Sequence, residues 1–279
     1  MSASSENPAP PLAVEPRSSR PVEELAVTLA FGPVANGLVR LLARTRLAPA
    51  TLVVAHGAIG LAAAGLLARE ELVAAALLLQ ARTVLDNADG RLARASGRVT
   101  LLGRYLDTVV DLAVNVSLFA ALAAVTGERW LALAAFLALT LVLTVDFNVS
   151  ELYREAHGEP SRPPPATGSR AERALAAAYS ALFAPQDRLV RRFSERRLRA
   201  VLGAEKDARR VVRATLAYHD RATASILANL GLSTQLAVLG LCLLAGEPVV
   251  YLWLVLVSLL LLPTLQARRE RLARDALAR

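Results

Sequence analysis

The chain has 279 residues, a formal net charge of +8 and a hydrophobic fraction of 54%, with a mean hydropathy of +0.41. Apolar runs near the roughly 20 residues needed to cross a bilayer exclude an ordinary water-soluble domain and mark an integral membrane protein. Arg far outnumbers Lys and no nucleic-acid motif accompanies the charge, which therefore reads as topology and anionic lipid rather than DNA or RNA.

In chain order, residues 1–21 are Pro- and Ser-rich without an apolar run, so a disordered tail and no cleavable signal are expected. Residues 22–50 carry Leu38, Leu41 and Leu42 beside Arg40, Arg44 and Arg46, which predicts an amphipathic helix lying in the interface over 22–46. Spans are predicted at 51–68, 72–88, 103–125, 130–149, 223–245 and 248–266. The expected fold is thus an all-α integral membrane protein, with six transmembrane helices and an N-terminal interfacial amphipathic helix. Its segments are four spans in 51–149, a basic insertion at 150–221, two spans in 222–267 and a basic tail at 268–279. The insertion opens on Pro160-Ser161-Arg162-Pro163-Pro164-Pro165 and turns Arg-rich and amphipathic over 170–220. It reads either as a basic hairpin on anionic lipid or as a cover over an active site. No internal repeat is seen, and the single Cys242 makes no internal disulfide.

The cations sort to one side. Five lie before Ala50, five in 82–104, fifteen in 151–221 and five after Leu265, whereas Arg69 and Arg129 alone fall in the opposite loops. The positive-inside rule then places both termini in the cytoplasm, in a multi-pass protein expected in a bacterial inner membrane.

The second and third spans carry aspartates. The stretch reads Asp86-x2-Asp89-Gly90-x2-Ala93-Arg94-x8-Gly103-x3-Asp107-x3-Asp111. Asp86, Asp89, Gly90 and Ala93 share one helix face, and Gly103, Asp107 and Asp111 share another. Two antiparallel helices joined by the 94–102 turn bring these faces together at the cytoplasmic side. Carboxylates in such apolar surroundings are costly and mark a functional site. Their mutual repulsion calls for a cation. With no His or Cys in the stretch, a hard, oxygen-preferring ion is expected rather than zinc. The oxygens suffice for one ion, or for two sharing a bridging carboxylate, and such ions bring phosphate substrates with them. Gly90, Ala93 and Gly103 leave room for a ligand against the backbone, and Arg94 has the fork geometry that pairs with phosphate.

These residues closely resemble the signature of the CDP-alcohol phosphotransferase (CDP-alcohol phosphatidyltransferase) family, D-x2-D-G-x2-A-R-x8/9-G-x3-D-x3-D, at every fixed position. The architecture resembles that family over about 20–267, apart from most of the insertion. The resemblance implies transfer of a substituted phosphate, here phosphatidyl, from a CDP-linked donor such as CDP-diacylglycerol to a small alcohol, releasing CMP in phospholipid biosynthesis. It implies Mg2+ or Mn2+, as two ions, and a homodimer. It makes Asp86, Asp89, Asp107 and Asp111 metal ligands, Asp111 also the general base, and Gly90, Ala93, Arg94 and Gly103 the donor-nucleotide pocket. The family's frequent Pro-Asn-x-x-Thr is replaced here by Pro49-Ala50-Thr51-Leu52-Val53. Tyr153-Arg154 and Gly168-Ser169-Arg170-Ala171-Glu172-Arg173 are similar, at a different spacing, to stretches of phosphatidylinositol-phosphate and phosphatidylglycerol-phosphate synthases. This points to Arg154, Arg170 and Arg173 as acceptor residues and to a phosphorylated acceptor. Intramembrane aspartates also fit a divalent-cation or organic-ion transporter, but their place toward one face argues against that reading. A catalytically silent lipid-binding member is disfavoured by four intact carboxylates.

Of the remaining residues, His56, His157 and His219 share no motif and are expected to be structural or solvent-facing. Trp130 and Trp253 read as membrane anchors. Asp146 and Asn148 read equally as acceptor-pocket or interface residues, and His219-Asp220-Arg221 reads first as a helix start and second as part of an anion pocket.

Overall fold

The computed structural model describes residues 22–45, 47–159, 165–166 and 168–279, so the expected tail over 1–21 and nearly all of the Pro-rich break at 160–165 lie outside the described residues. Every regular element among the described residues is helical. A wide π-type turn, Val27–Phe31, leads into α1 (Gly32–Leu42), followed by α2 (Pro49–Ala68), α3 (Leu72–Ala95), α4 (Leu101–Thr126) and α5 (Arg129–Ala156). The insertion forms α6 (Arg170–Leu182), α7 (Ala184–Leu202) and α8 (Ala208–Tyr218). The chain closes with α9 (Arg221–Ala228), α10 (Leu232–Leu244), α11 (Pro248–Ser258) and α12 (Leu261–Ala278).

Five helical stretches among the described residues are long and apolar enough to cross a membrane: α2, α4, α5, Ala208–Leu244 and Pro248–Ala278. The chain is an integral membrane protein. The expected second span corresponds to α3, which has 24 residues but carries Arg82, Asp86 and Asp89 within its apolar length. Those charges keep it out of a count made on composition.

The expected fifth and sixth spans are each broken once. Between α9 and α10, Glu24 from the N-terminal segment fills the space a side chain at Gly231 would take. Its carboxylate accepts from the Thr234 amide at 2.8 Å and the Thr234 hydroxyl at 3.0 Å. An anion at a helix N-terminus satisfies amides that have no partner in the helix. Residues 268–278, expected as a tail, continue α12 and pack with α7 and α8 around Ala214, Tyr218 and Ala273.

The main core lies at the ends of the helices away from the aspartates. It is built from Leu67, Leu79, Leu118, Leu122, Leu236, Leu239, Tyr251 and Leu252, among others. Small residues then decide how closely α2 and α4 approach. A Cβ on Gly57 would meet Val110 Cγ1 at 2.5 Å, and one on Gly60 would meet Val114 Cγ1 at 2.7 Å. Without side chains at these positions the helix surfaces come into direct contact, as small residues permit in membrane bundles. Gln80 of α3 occupies the corresponding space over Gly240 of α10 and donates to the Leu236 carbonyl at 3.2 Å.

Gly60→Leu is therefore expected to wedge α2 from α4 and cost about 1–3 kcal/mol, read as a lower melting temperature in detergent. Gly65→Leu, whose Cβ meets nothing within 4 Å, is expected to change it little. Equal losses in the two variants would remove the packing argument.

Candidate active site

The aspartates sit well inside the bundle. At about 1.5 Å per residue, Asp111 is on the order of 15 Å from the start of α4, and His56 about 10 Å from the start of α2. The α3–α4 turn is built by Gly97, at φ +65°, and by Thr100, whose Oγ1 accepts from the Gly103 amide at 3.1 Å. This tight reversal lets the two aspartate faces oppose one another.

One ligand atom from each of His56, Asp86, Asp89 and Asp107 falls within 4.8 Å of all the others. His56 Nε2 stands 3.1 Å from Asp89 Oδ2, 3.5 Å from Asp107 Oδ1 and 3.7 Å from Asp86 Oδ1. His56 is fully buried. Neither of its ring nitrogens makes a hydrogen bond, and neither do the buried Asp89 Oδ2 and Asp107 Oδ1. Buried polar atoms are nearly always hydrogen-bonded, so the His56 nitrogens, Asp89 Oδ2 and Asp107 Oδ1 stand out as atoms that converge at ion-pair distance without well-formed hydrogen bonds. The donor set suits a divalent cation.

Asp111 is placed differently. Its Oδ1 accepts from Arg82 Nη2 in a close ion pair, and Arg82 also stands 3.7 Å from Asp86 Oδ1. Arg82 is 1% exposed. Buried charge at this depth survives only when paired, and Arg82 provides the pairing for two of the four aspartates.

A cavity of about 920 Å3 opens beside the cluster, within the range of small-molecule sites. Asp89, Asp107 and Asp111 line it, as do Gly90, Ala93, Arg94 and Gly103. The Arg94 guanidinium lies against Gly90, at ordinary contact distance from where a Cβ there would stand. Pro49, Ala50 and Val53, which stand where the family's Pro-Asn-x-x-Thr is expected, also line the cavity. Phe136, Leu139, Leu143 and Leu232 give it an apolar wall.

The α6–α7 elbow forms another wall through Tyr179, Phe183 and Asp187. Asp187 accepts from Asn148 Nδ2 at 2.9 Å and from the Tyr179 hydroxyl at 2.9 Å. Burial and the adjacent Asp187 carboxylate push the Tyr179 phenol up from its ordinary pKa, so it remains a donor. Its ring packs on Tyr105 of α4 with centroids 5.3 Å apart. Of the two readings of the insertion, these contacts match a cover over the site. Asp146 and Asn148 are buried, and Asn148 meets the cavity indirectly, by donating to Asp187 and to the Thr144 carbonyl.

The three expected acceptor arginines separate. Arg154 lines the cavity and pairs closely with Glu151. Arg170 and Arg173 are exposed at the start of α6, away from the cavity, and Arg173 donates to the Gly168 carbonyl at 3.1 Å. His157 stacks on Tyr153, with ring centroids 4.1 Å apart. His219 is buried 3.2 Å from Arg269, and Asp220 caps α9 by accepting from the Thr223 amide at 3.1 Å. The helix-start reading of 219–221 is the one the hydrogen bonds support.

Sequence reasoning missed His56 and Arg82 at the cluster and Tyr179, Phe183 and Asp187 at the cavity. Arg82 had a readable signal, being four residues before Asp86 on one helical face. His56, thirty residues upstream in an apolar helix, had none.

A family model for CDP-alcohol phosphatidyltransferase matches residues 46–204, more than half of the chain and all of α2 through α7. The chain belongs to the CDP-alcohol phosphatidyltransferase family. No curated protein and no solved structure matches it. Membership makes it a transferase of substituted phosphate groups in phospholipid biosynthesis, with a CDP-alcohol donor and an alcohol acceptor. The family is generally dependent on divalent metal, and the converging donor set of this chain fits that dependence.

The Arg82–Asp111 pair generates a stability test. Arg82→Met leaves Asp111 without its cation and is expected to cost about 3–5 kcal/mol. Adding Asp111→Leu to Arg82→Met is expected to restore much of the melting temperature but no activity. A double variant less stable than the single one would mean the pair is not the source of the loss.

Proposed function

We propose that the protein transfers a phosphatidyl group from CDP-diacylglycerol, or a closely related CDP-alcohol, to a small alcohol and releases CMP. The observation that carries this reading is one cavity bounded by Asp89, Asp107 and Asp111 on one side and by Gly90, Ala93, Arg94 and Gly103 on another. Asp86, Asp89 and Asp107 would hold Mg2+ or Mn2+, with Asp111 bordering a second ion if two are present. Metal bound there supplies charge neutralisation for the donor's diphosphate.

The residues themselves account for the remaining requirements. Gly90, Ala93 and Gly103 give the nucleotide close approach to the α3 and α4 backbones. Arg94 offers its fork to a phosphate oxygen. The apolar wall at Phe136, Leu139 and Leu143 suits the acyl part of the donor. Asp111 is the general base, held in place by Arg82 through Oδ1, with Oδ2 left to take the acceptor's hydroxyl proton. The acceptor oxygen bonds to the phosphorus of the phosphatidyl group as the bond to the CMP oxygen breaks. Such a transfer needs alignment and charge compensation more than covalent participation by the protein.

The acceptor end of the cavity is bounded by Arg104, Thr144, Arg154, Tyr179 and Asp187. Arg154 supports a phosphorylated acceptor, and Arg170 and Arg173, outside the cavity, are left only a part in drawing anions to its mouth. The charge asymmetry supports a cytoplasmic site with both termini on that side, in a bacterial inner membrane, with α3 as the sixth span and α1 in the interface. The homodimer rests on the family resemblance alone.

The test is CMP release by purified protein given Mg2+ or Mn2+, CDP-diacylglycerol and a panel of free and phosphorylated alcohols. Asp111→Asn is expected to lower kcat by about 10²–10⁴-fold while donor binding persists. Near-normal CMP release in that variant would remove the base assignment. Absence of CMP release with every acceptor, together with cation flux in liposomes, would favour a transporter.

Arg154→Ala is expected to weaken a phosphorylated acceptor by about 1.5–3 kcal/mol, seen in KM. A neutral alcohol outcompeting every phosphorylated one would overturn the acceptor class and leave the transfer chemistry standing.

A further inference from the structure

His56 stands inside the aspartate cluster although nothing in the signature assigns it a part. We infer that His56 supplies a nitrogen donor to the divalent ion proposed for this site, making the donor set one imidazole with Asp86, Asp89 and Asp107. The inference rests on the reading of the site given above and specifies its chemistry further.

Three observations carry it. The first is burial among carboxylates. The residue is 0% exposed, neither ring nitrogen makes a well-formed hydrogen bond, and the groups within 4 Å of Nε2 are oxygens of Asp86, Asp89 and Asp107, whereas a merely structural buried imidazole normally bonds to a carbonyl or hydroxyl.

The second is spacing. Two donors on one ion, each at about 2.0–2.1 Å, lie about 3 Å apart at right angles and about 4.2 Å apart across the ion. Nε2 stands 3.1, 3.5 and 3.7 Å from oxygens of Asp89, Asp107 and Asp86. All three values fall between those limits.

The third is the position of Asp111. The signature supplies four carboxylates, but one oxygen of the fourth is engaged by Arg82. His56 occupies the place in the close cluster that Asp111 does not take. The α2 backbone next to it is fixed, because Gly57 lies directly against Val110 of α4.

An imidazole changes the expected ion. All-oxygen sets suit Mg2+, whereas nitrogen donors favour first-row transition ions. The site is therefore expected to prefer Mn2+ over Mg2+ more strongly than four carboxylates would.

The experiment is pulsed EPR on tag-free full-length protein in detergent, titrated with Mn2+. Nitrogen coupling to bound Mn2+ is expected in the native protein, and 15N-histidine labelling should change its nuclear frequency. The chain has three histidines. The coupling is expected to survive His157→Gln and to disappear in His56→Gln, with the Mn2+ over Mg2+ preference falling.

Bound Mn2+ without nitrogen coupling in the native protein would overturn the inference and leave a carboxylate site intact. Coupling that persists in His56→Gln would overturn it too. No bound Mn2+ at all would instead overturn the metal reading on which it rests. If the His56 variant fails to fold, coupling that survives in both His157→Gln and His219→Gln assigns the nitrogen to His56, because the chain has three histidines, and coupling lost in either variant overturns the inference.

Discussion

Confining three aspartates and a histidine within a few ångströms of one another, inside a bundle of apolar helices, is the constraint on which the rest of this structure depends. Carboxylates so close in a low-dielectric setting repel strongly and pay a large desolvation cost. The chain meets this in two ways. Arg82 enters from the preceding turn of α3 and neutralises charge on Asp111 and Asp86. His56 sets its imidazole 3.1 Å from Asp89 and 3.5 Å from Asp107 without well-formed hydrogen bonds, an arrangement that a bound cation would complete. Packing elsewhere follows from holding this geometry: Gly57 and Gly60 draw α4 onto α2, and the Gly97 turn sets α3 against α4.

The division between core and site has the same origin. Large aliphatic residues gather at the ends of the helices remote from the aspartates, with Gln80 accommodated by bonding to the Leu236 carbonyl. Around the aspartates the facing positions are Gly, Ala and Arg, and a cavity of about 920 Å3 results. Close packing at one end of the bundle therefore compensates for open space at the other. α5, at 28 residues, is on the order of 42 Å long and outreaches the hydrocarbon core. Its last turns can carry Glu151 and Arg154 to the cavity without exposing them to lipid.

Much of this was legible in the chain because the determining patterns are local. The aspartate spacing fixes helix faces over a few turns, and hydropathy together with Lys and Arg placement finds most of the spans. Asp86, Asp89 and Asp107 converge as their spacing predicts. What escaped is what depends on distant segments. His56 belongs to a helix whose register against α3 and α4 is set by Gly57 and Gly60, and no local pattern reports that. The break at 259–260 interrupts an unbroken apolar run, and the one at 229–231, although marked by Asn229 and Gly231, is held by Glu24, more than two hundred residues away. Of the three candidate acceptor arginines, Arg154 follows the fourth span directly and lines the cavity, whereas Arg170 and Arg173, on a separate helix, do not.

The insertion shows how a basic segment can serve a buried site with few of its basic residues. Most of its arginines are exposed or spent on ion pairs such as Arg191–Glu155 and Arg197–Glu270. Its contribution to the cavity comes instead from Tyr179, Phe183 and Asp187. These are anchored to the bundle by Tyr105 and Asn148, side chains of α4 and α5. The aromatic pair forms an apolar side of the cavity, and Asp187 adds a hydrogen-bond-accepting carboxylate to a lining that already carries three aspartates. A ligand spanning that cavity must bring cationic or metal-compensated character to the aspartate side and hydrogen-bond donors to the other. A metal-bound diphosphate next to a hydroxyl-bearing acceptor satisfies both conditions, which ties the shape of the insertion to the chemistry of the signature.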